Sequence, residues 1–182
     1  MNLLVTAAGL YIPAFIKKQK IRQLIKITAQ AFQVETPDTG TLTYHECLHV
    51  FARFSGETAQ RALQANADIQ GIKSRLYKNA CDMGIQLRRQ LHIKTTAEVI
   101  QFTRILYKVI GIDYSCTPAG DVTIKRCYFS QFFNGEACRI FSALDEGVAA
   151  GLSNGGRLVF RERLTEGHSC CRADFRLTEE PL

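Results

Sequence analysis

The apolar residues of this 182-residue chain change their spacing at Gly111, and that change limits the folds open to it. Upstream they recur at three- and four-residue steps, the period of an amphipathic helix. Downstream they alternate, as in strands, in two pairs of runs separated by one more helical segment. The expected class is therefore α+β, with N-terminal helices packed on an antiparallel sheet built from two hairpins separated by a helix. One domain over 1–182 is expected, with a mainly helical half over 1–110 and a sheet-forming half over 111–182. At 46% apolar and 22% charged residues the balance is that of a globular chain, which excludes wholesale disorder.

Four helices are expected before Gly111. Residues 3–16 form an apolar run of about the length of a signal-peptide core. No basic residue precedes it, and Lys17, Lys18, Lys20 and Arg22 follow it. That order does not fit a secretory signal, and the run is too short to span a membrane. Pro13 suits the first turn of a helix continuing through Phe15, Ile16, Ile27 and Phe32. This helix reads as packed on the domain, with a membrane-surface or dimer-interface helix as the alternative. Thr43 with Glu46, and Thr95 with Glu98, are capping boxes that open two further helices. The remaining one runs roughly over 68–91, with Ile72, Leu76, Ala80, Met83 and Leu87 along one side.

In the second half, 112–116 and 121–127 read as strands around Thr117-Pro118-Ala119-Gly120. Residues 136–151 read as a helix with an apolar stripe of Ala137, Ile140, Phe141, Leu144 and Val148. Two more strands, 158–164 and 169–177, flank Thr165-Glu166-Gly167-His168. Alternation puts Leu158, Phe160, Glu162 and Leu164 on one face, with Arg157, Val159, Arg161 and Arg163 on the other. On the last strand Cys171, Ala173, Phe175 and Leu177 share the apolar face. Glu162 thus falls on an apolar face, either as a strand-end carboxylate paired to an arginine or as a pocket carboxylate.

Two patterns carry potential chemistry. His45-Glu46-Cys47-Leu48-His49 fits HExxH, in which a helix presents two imidazoles to zinc or iron beside a glutamate. The third ligand would come from Glu57, Glu98, Glu162, His168 or a cysteine. Glu46 is equally explained by the capping box, which makes the same residues a helix start. The seven cysteines show no CxxC spacing, and with no secretory signal they read as reduced thiols. Cys127, Cys138, Cys170 and Cys171 are candidate nucleophiles, a role that requires the thiolate. His168 lies near the last two in sequence. Asp145, on the 136–151 helix, is either a surface residue or, if it faces a pocket, a group that binds a substrate amino group or acts as general base.

The residues Cys127, Asp145, Leu164, Gly167, Cys170, Cys171 and Phe175, with the upstream segment Phe54-Ser55-Gly56-Glu57-Thr58-Ala59, resemble the L-2-amino-thiazoline-4-carboxylic acid hydrolase family. The C-terminal part also resembles, more distantly, 4-vinyl-reductase-type ligand-binding domains. Arg172-Ala173 intervenes where the hydrolases pass directly to Asp-Phe. The resemblance implies a small hydrolase that opens a cyclic amidine or related C–N bond in a small carboxylate substrate. Asp145, Cys127, Cys138, Cys171 and Glu162 would then be catalytic, and His168, Cys170 and Arg161 would bind substrate. It implies no organic cofactor. A non-catalytic ligand-binding or sensor domain is one alternative, and a metal-dependent enzyme built on His45 and His49 is another. The net charge of +6 suits an anionic small molecule and is too mild and too evenly spread for nucleic acid. A cytoplasmic location and a homo-oligomeric state are compatible with the chain.

Overall fold

The computed structural model describes residues 2–176. Five helices precede the sheet: α1 (Leu3–Leu10), α2 (Ala14–Phe32), α3 (Tyr44–Gln64), α4 (Ile69–Gln90) and α5 (Thr96–Val109). The strands are β1 (Ile112–Cys116), β2 (Asp121–Cys127), β3 (Arg157–Glu162) and β4 (Cys171–Arg176), and α6 (Gly135–Leu152) joins the two pairs. The expected N-terminal run is thus split into two helices rather than one. Pro13, with φ −55° and ψ 144°, sits just ahead of α2. An extended residue is favoured immediately before a proline, so α1 ends short of it.

Local signals account for the helix starts. The Thr43 N–H donates to Glu46 Oε2 at 2.7 Å, and the Glu46 N–H donates back to Thr43 Oγ1 at 3.4 Å. Thr95 and Glu98 repeat the arrangement at α5. Asp68 caps α4 through the Gly71 N–H at 2.9 Å, and Asn134 caps α6 through the Ala137 N–H at 2.8 Å.

The sheet is antiparallel throughout, in the order β1-β2-β4-β3, so the two hairpins meet along β2 and β4. Ile112, Tyr114, Val122, Ile124, Leu158, Cys171, Ala173 and Phe175 are buried, and most of their neighbours along the strands are exposed or half-exposed. One face of the sheet therefore packs on the helices, as the alternation predicts. In the β1–β2 turn Gly120 has φ +92°, and a Cβ there would lie 2.2 Å from the Phe175 carbonyl oxygen, so glycine is required.

α6 packs along α4 and also against β3. Three glycines make the α4–α6 approach close. A Cβ at Gly147 would lie 2.3 Å from the Tyr77 carbonyl oxygen, one at Gly151 2.2 Å from that of Cys81, and one at Gly84 2.7 Å from that of Val148. All the stripe residues expected on α6 are buried.

The second hairpin departs from simple alternation. Its strands are shorter than expected, and a 3-10 turn over Leu164–Glu166 fills part of the connection. The register slips between Phe160 and Glu162. Such a bulge reverses the facing of the residues after it. Arg163, expected on the polar face, therefore turns inward with its side chain 13% exposed. Leu177 lies outside the described residues.

Candidate functional site

Asp145 is the centre of the polar interior. α6 presents it to α5, where the Tyr107 hydroxyl donates to Asp145 Oδ1 at 2.9 Å. Tyr107 in turn stacks on Tyr114 of β1, with ring centroids 4.5 Å apart. Burial pushes the Asp145 carboxyl up to about 7; the Tyr107 hydrogen bond opposes that rise, and Glu146 adds to it. The carboxyl borders a small cavity of about 60 Å³, otherwise apolar in character, lined also by Leu24, Met83, Leu144 and Val148.

Three of the cysteines expected to share a site with Asp145 do lie in its electrostatic neighbourhood. Burial pushes the Cys127 thiol up to about 12 and raises Cys138 and Cys171, and Asp145 adds to each rise. Thiols held so high are protonated at neutral pH, whereas nucleophilic attack needs the thiolate. Cys171 Sγ accepts from the Leu164 N–H at 3.4 Å. Arg163, which sequence alternation placed outside, is the cation of this cluster. It donates to Ser142 Oγ at 3.2 Å, and its guanidinium lies over the Phe160 ring at 5.2 Å.

The other expected site residues lie apart from Asp145. Glu162 takes the strand-end role: Arg172 Nε is 3.3 Å from its Oε2, and His168 Nδ1 is at 4.0 Å. Arg161 is paired with Asp174. Cys170 is half-buried and, like the other six cysteines, free of disulfides.

The expected metal pair is a capped helix start. Glu46 is held by Thr43, with Thr43 Oγ1 also 2.8 Å from Glu46 Oε2. The His45 ring lies against Tyr44. His49 Nδ1 is 3.3 Å from the Tyr128 hydroxyl, and its ring meets the edge of Phe132. Among the described residues no group of three or more His, Cys, Asp and Glu side chains is placed to hold a metal ion. Metal binding through His45 and His49 is therefore set aside.

Sequence periodicity did not reveal an apolar cleft among the N-terminal helices. A cleft of about 340 Å³ opens between α1, α2, α4 and α5, lined by apolar groups such as Ala8, Ile12, Ile16, Leu91 and Phe102. Its volume is within the range of small-molecule clefts, ~300–1,000 Å³. Lys20, Leu87, Leu106 and Val109 line both this cleft and the small cavity beside Asp145, so the two spaces adjoin. Together they form an apolar passage from the α1–α2 elbow toward the buried carboxyl. Lys20 stands at the junction, its ammonium disfavoured by burial, and its Nζ is 3.3 Å from Gln23 Oε1. The spacing of apolar residues within each helix was visible, but the gap between four helices was not.

No protein-family model matches the chain. No curated protein matches either. Among solved structures the fold is similar to that of a trafficking protein particle complex subunit 3 from Naegleria fowleri, which is covalently bound to palmitic acid. The two chains are 14% identical with a TM-score of 0.55, and the match covers 74% of this chain and 97% of the other. At that identity the likeness establishes the fold. The likeness points to a different family from the aminothiazoline-carboxylate hydrolases that the sequence resembles. The hydrolase reading is corrected on this ground.

Proposed function

We propose that this chain is a non-catalytic subunit of a multi-subunit particle that acts in vesicle trafficking from the cytoplasm, and that it houses one long acyl chain. The observation that carries this reading is the apolar passage between α1, α2, α4 and α5, in a fold similar to that of a palmitate-bearing trafficking subunit. A passage walled by aliphatic and aromatic side chains favours a methylene chain, because each buried CH₂ contributes about 0.8 kcal/mol. No described helix is long and apolar enough to cross a membrane. An acyl chain in this passage would belong to the folded interior.

Partner subunits would meet the elbow between α1 and α2. Leu3, Leu10, Tyr11 and Phe15 are 78%, 84%, 73% and 71% exposed there. Clustered exposed apolar side chains of this size mark interaction surfaces. The neighbouring subunit would be another copy of this chain or a different one.

The test is mass spectrometry under native conditions on protein purified without detergent. A population carrying one fatty-acyl mass per chain, lost in a Leu106→Trp variant that fills the junction while keeping its helical circular dichroism, supports the reading. A wild-type protein that neither co-purifies with a long-chain acyl species nor takes up added palmitic acid overturns it.

A further inference from the structure

The passage contains no nucleophilic thiol. None of the seven cysteines lines the outer cleft or the inner cavity. A thioester to an occupant cannot form there without rearrangement of the chain. Two lysines line the outer cleft, Lys17 and Lys20. Lys17 Nζ lies over the Tyr44 ring at 5.5 Å. Lys20 makes its hydrogen bond to the neutral Gln23 amide and has no carboxylate partner among the described residues. A half-buried cation without an anion is an incomplete pair, since desolvation is offset by an opposite charge.

We infer that the passage takes a free long-chain fatty acid non-covalently, with its carboxylate held by Lys20 at the junction and its alkyl chain along the outer cleft. This rests on the acyl-binding reading above and specifies its head group. The apolar walls select the chain, and the single unpaired ammonium selects an acid over an alcohol or an ester. No acidic side chain lines the outer cleft, and Asp145, which shares the inner cavity with Lys20, is engaged by the Tyr107 hydroxyl and makes no ion pair with Lys20. The inner cavity, about 60 Å³, is too small for the chain and leaves Asp145 untouched by it.

The experiment compares palmitic acid with 1-hexadecanol, which has the same chain length and no charge, on delipidated full-length protein and its Lys20→Met and Lys20→Arg variants. Affinity is measured by displacement of a fluorescent fatty acid. Wild type is expected to prefer the acid by about tenfold or more, the scale of a hydrogen bond to a charged group. Lys20→Met is expected to lose that preference while keeping its affinity for hexadecanol, and Lys20→Arg to retain it. Bound acid should leave completely on denaturation. Equal binding of acid and alcohol by wild type, an unchanged preference in Lys20→Met, or an acyl mass that survives denaturation would overturn the head-group assignment and leave the acyl-binding reading standing. Failure of both ligands to bind wild type would overturn the two together.

Discussion

Replacing Asp145 with asparagine should make the protein more stable at pH 8 and leave it nearly unchanged at pH 4. The ordinary value for the carboxyl is 3.8, and in the folded chain it rises to about 7, with burial the leading cause. Between those values the folded form holds a proton that the unfolded form has released. Stability therefore falls as pH rises from about 4 to about 7, and levels off above. At about 1.4 kcal/mol per pH unit, the interval from 3.8 to about 7 corresponds to a cost of about 4 kcal/mol at pH 8. Asparagine keeps an acceptor for the Tyr107 hydroxyl, which donates to Oδ1, and removes the ionisation. The assay is urea unfolding of both proteins at intervals from pH 4 to pH 9, read as the difference in unfolding free energy. Glu146, whose carboxyl is also raised, chiefly by burial, is present in both proteins, so the difference removes its own burial cost and keeps only its coupling to Asp145. Parallel curves across the range would refute the argument and place Asp145 in contact with bulk water.

Gly151→Ala should cost about 1–3 kcal/mol by thermal or urea unfolding despite the better helix propensity of alanine, because the new methyl meets backbone atoms of α4 rather than a movable side chain. Thr43→Ala should cost about 1 kcal/mol in the same measurement, the usual value of an N-cap. In a timed alkylation at pH 7.5 read by peptide mass spectrometry, half-exposed Cys170 should react well before Cys127, whose thiol is pushed up to about 12, and Cys127 should catch up only in urea.

Elements whose cause is local were legible from sequence. The capping boxes at Thr43 and Thr95 fixed two helix starts, and the runs 112–116 and 121–127 became β1 and β2 with unchanged bounds. α1 was not separated from α2, because Leu3–Leu10 is apolar nearly all round and shows no stripe to count. Arg163 was misplaced because strand alternation holds only while the register does, and the slip after Phe160 inverts it. Asp145 and three of the thiols grouped with it, Cys127, Cys138 and Cys171, are near one another in space, although they lie far apart along the chain. What periodicity could not supply was how far apart α1, α2, α4 and α5 stand, which is set by tertiary packing. The small residues Gly147 and Gly151, four apart on α6, were an available sign of a close helix crossing.

The glycine seam divides the walls of the passage into one that cannot yield and one that can. α4 is fixed to α6 backbone against backbone, so widening on that side would open the core. α1 is a short helix packed chiefly on α5, tethered where the Asn2 side-chain amide donates to the Leu91 carbonyl at 2.7 Å. An occupant would therefore exchange by the lifting of α1, and its residence time would be set by that local opening rather than by the tightness of the walls. Hydrogen exchange would then show early loss of protection in α1 and late loss in α4 and α6, with loading slowing the first and leaving the second unchanged. On this view the N-terminal helix is the latch, and the glycine-packed pair is the frame against which it closes.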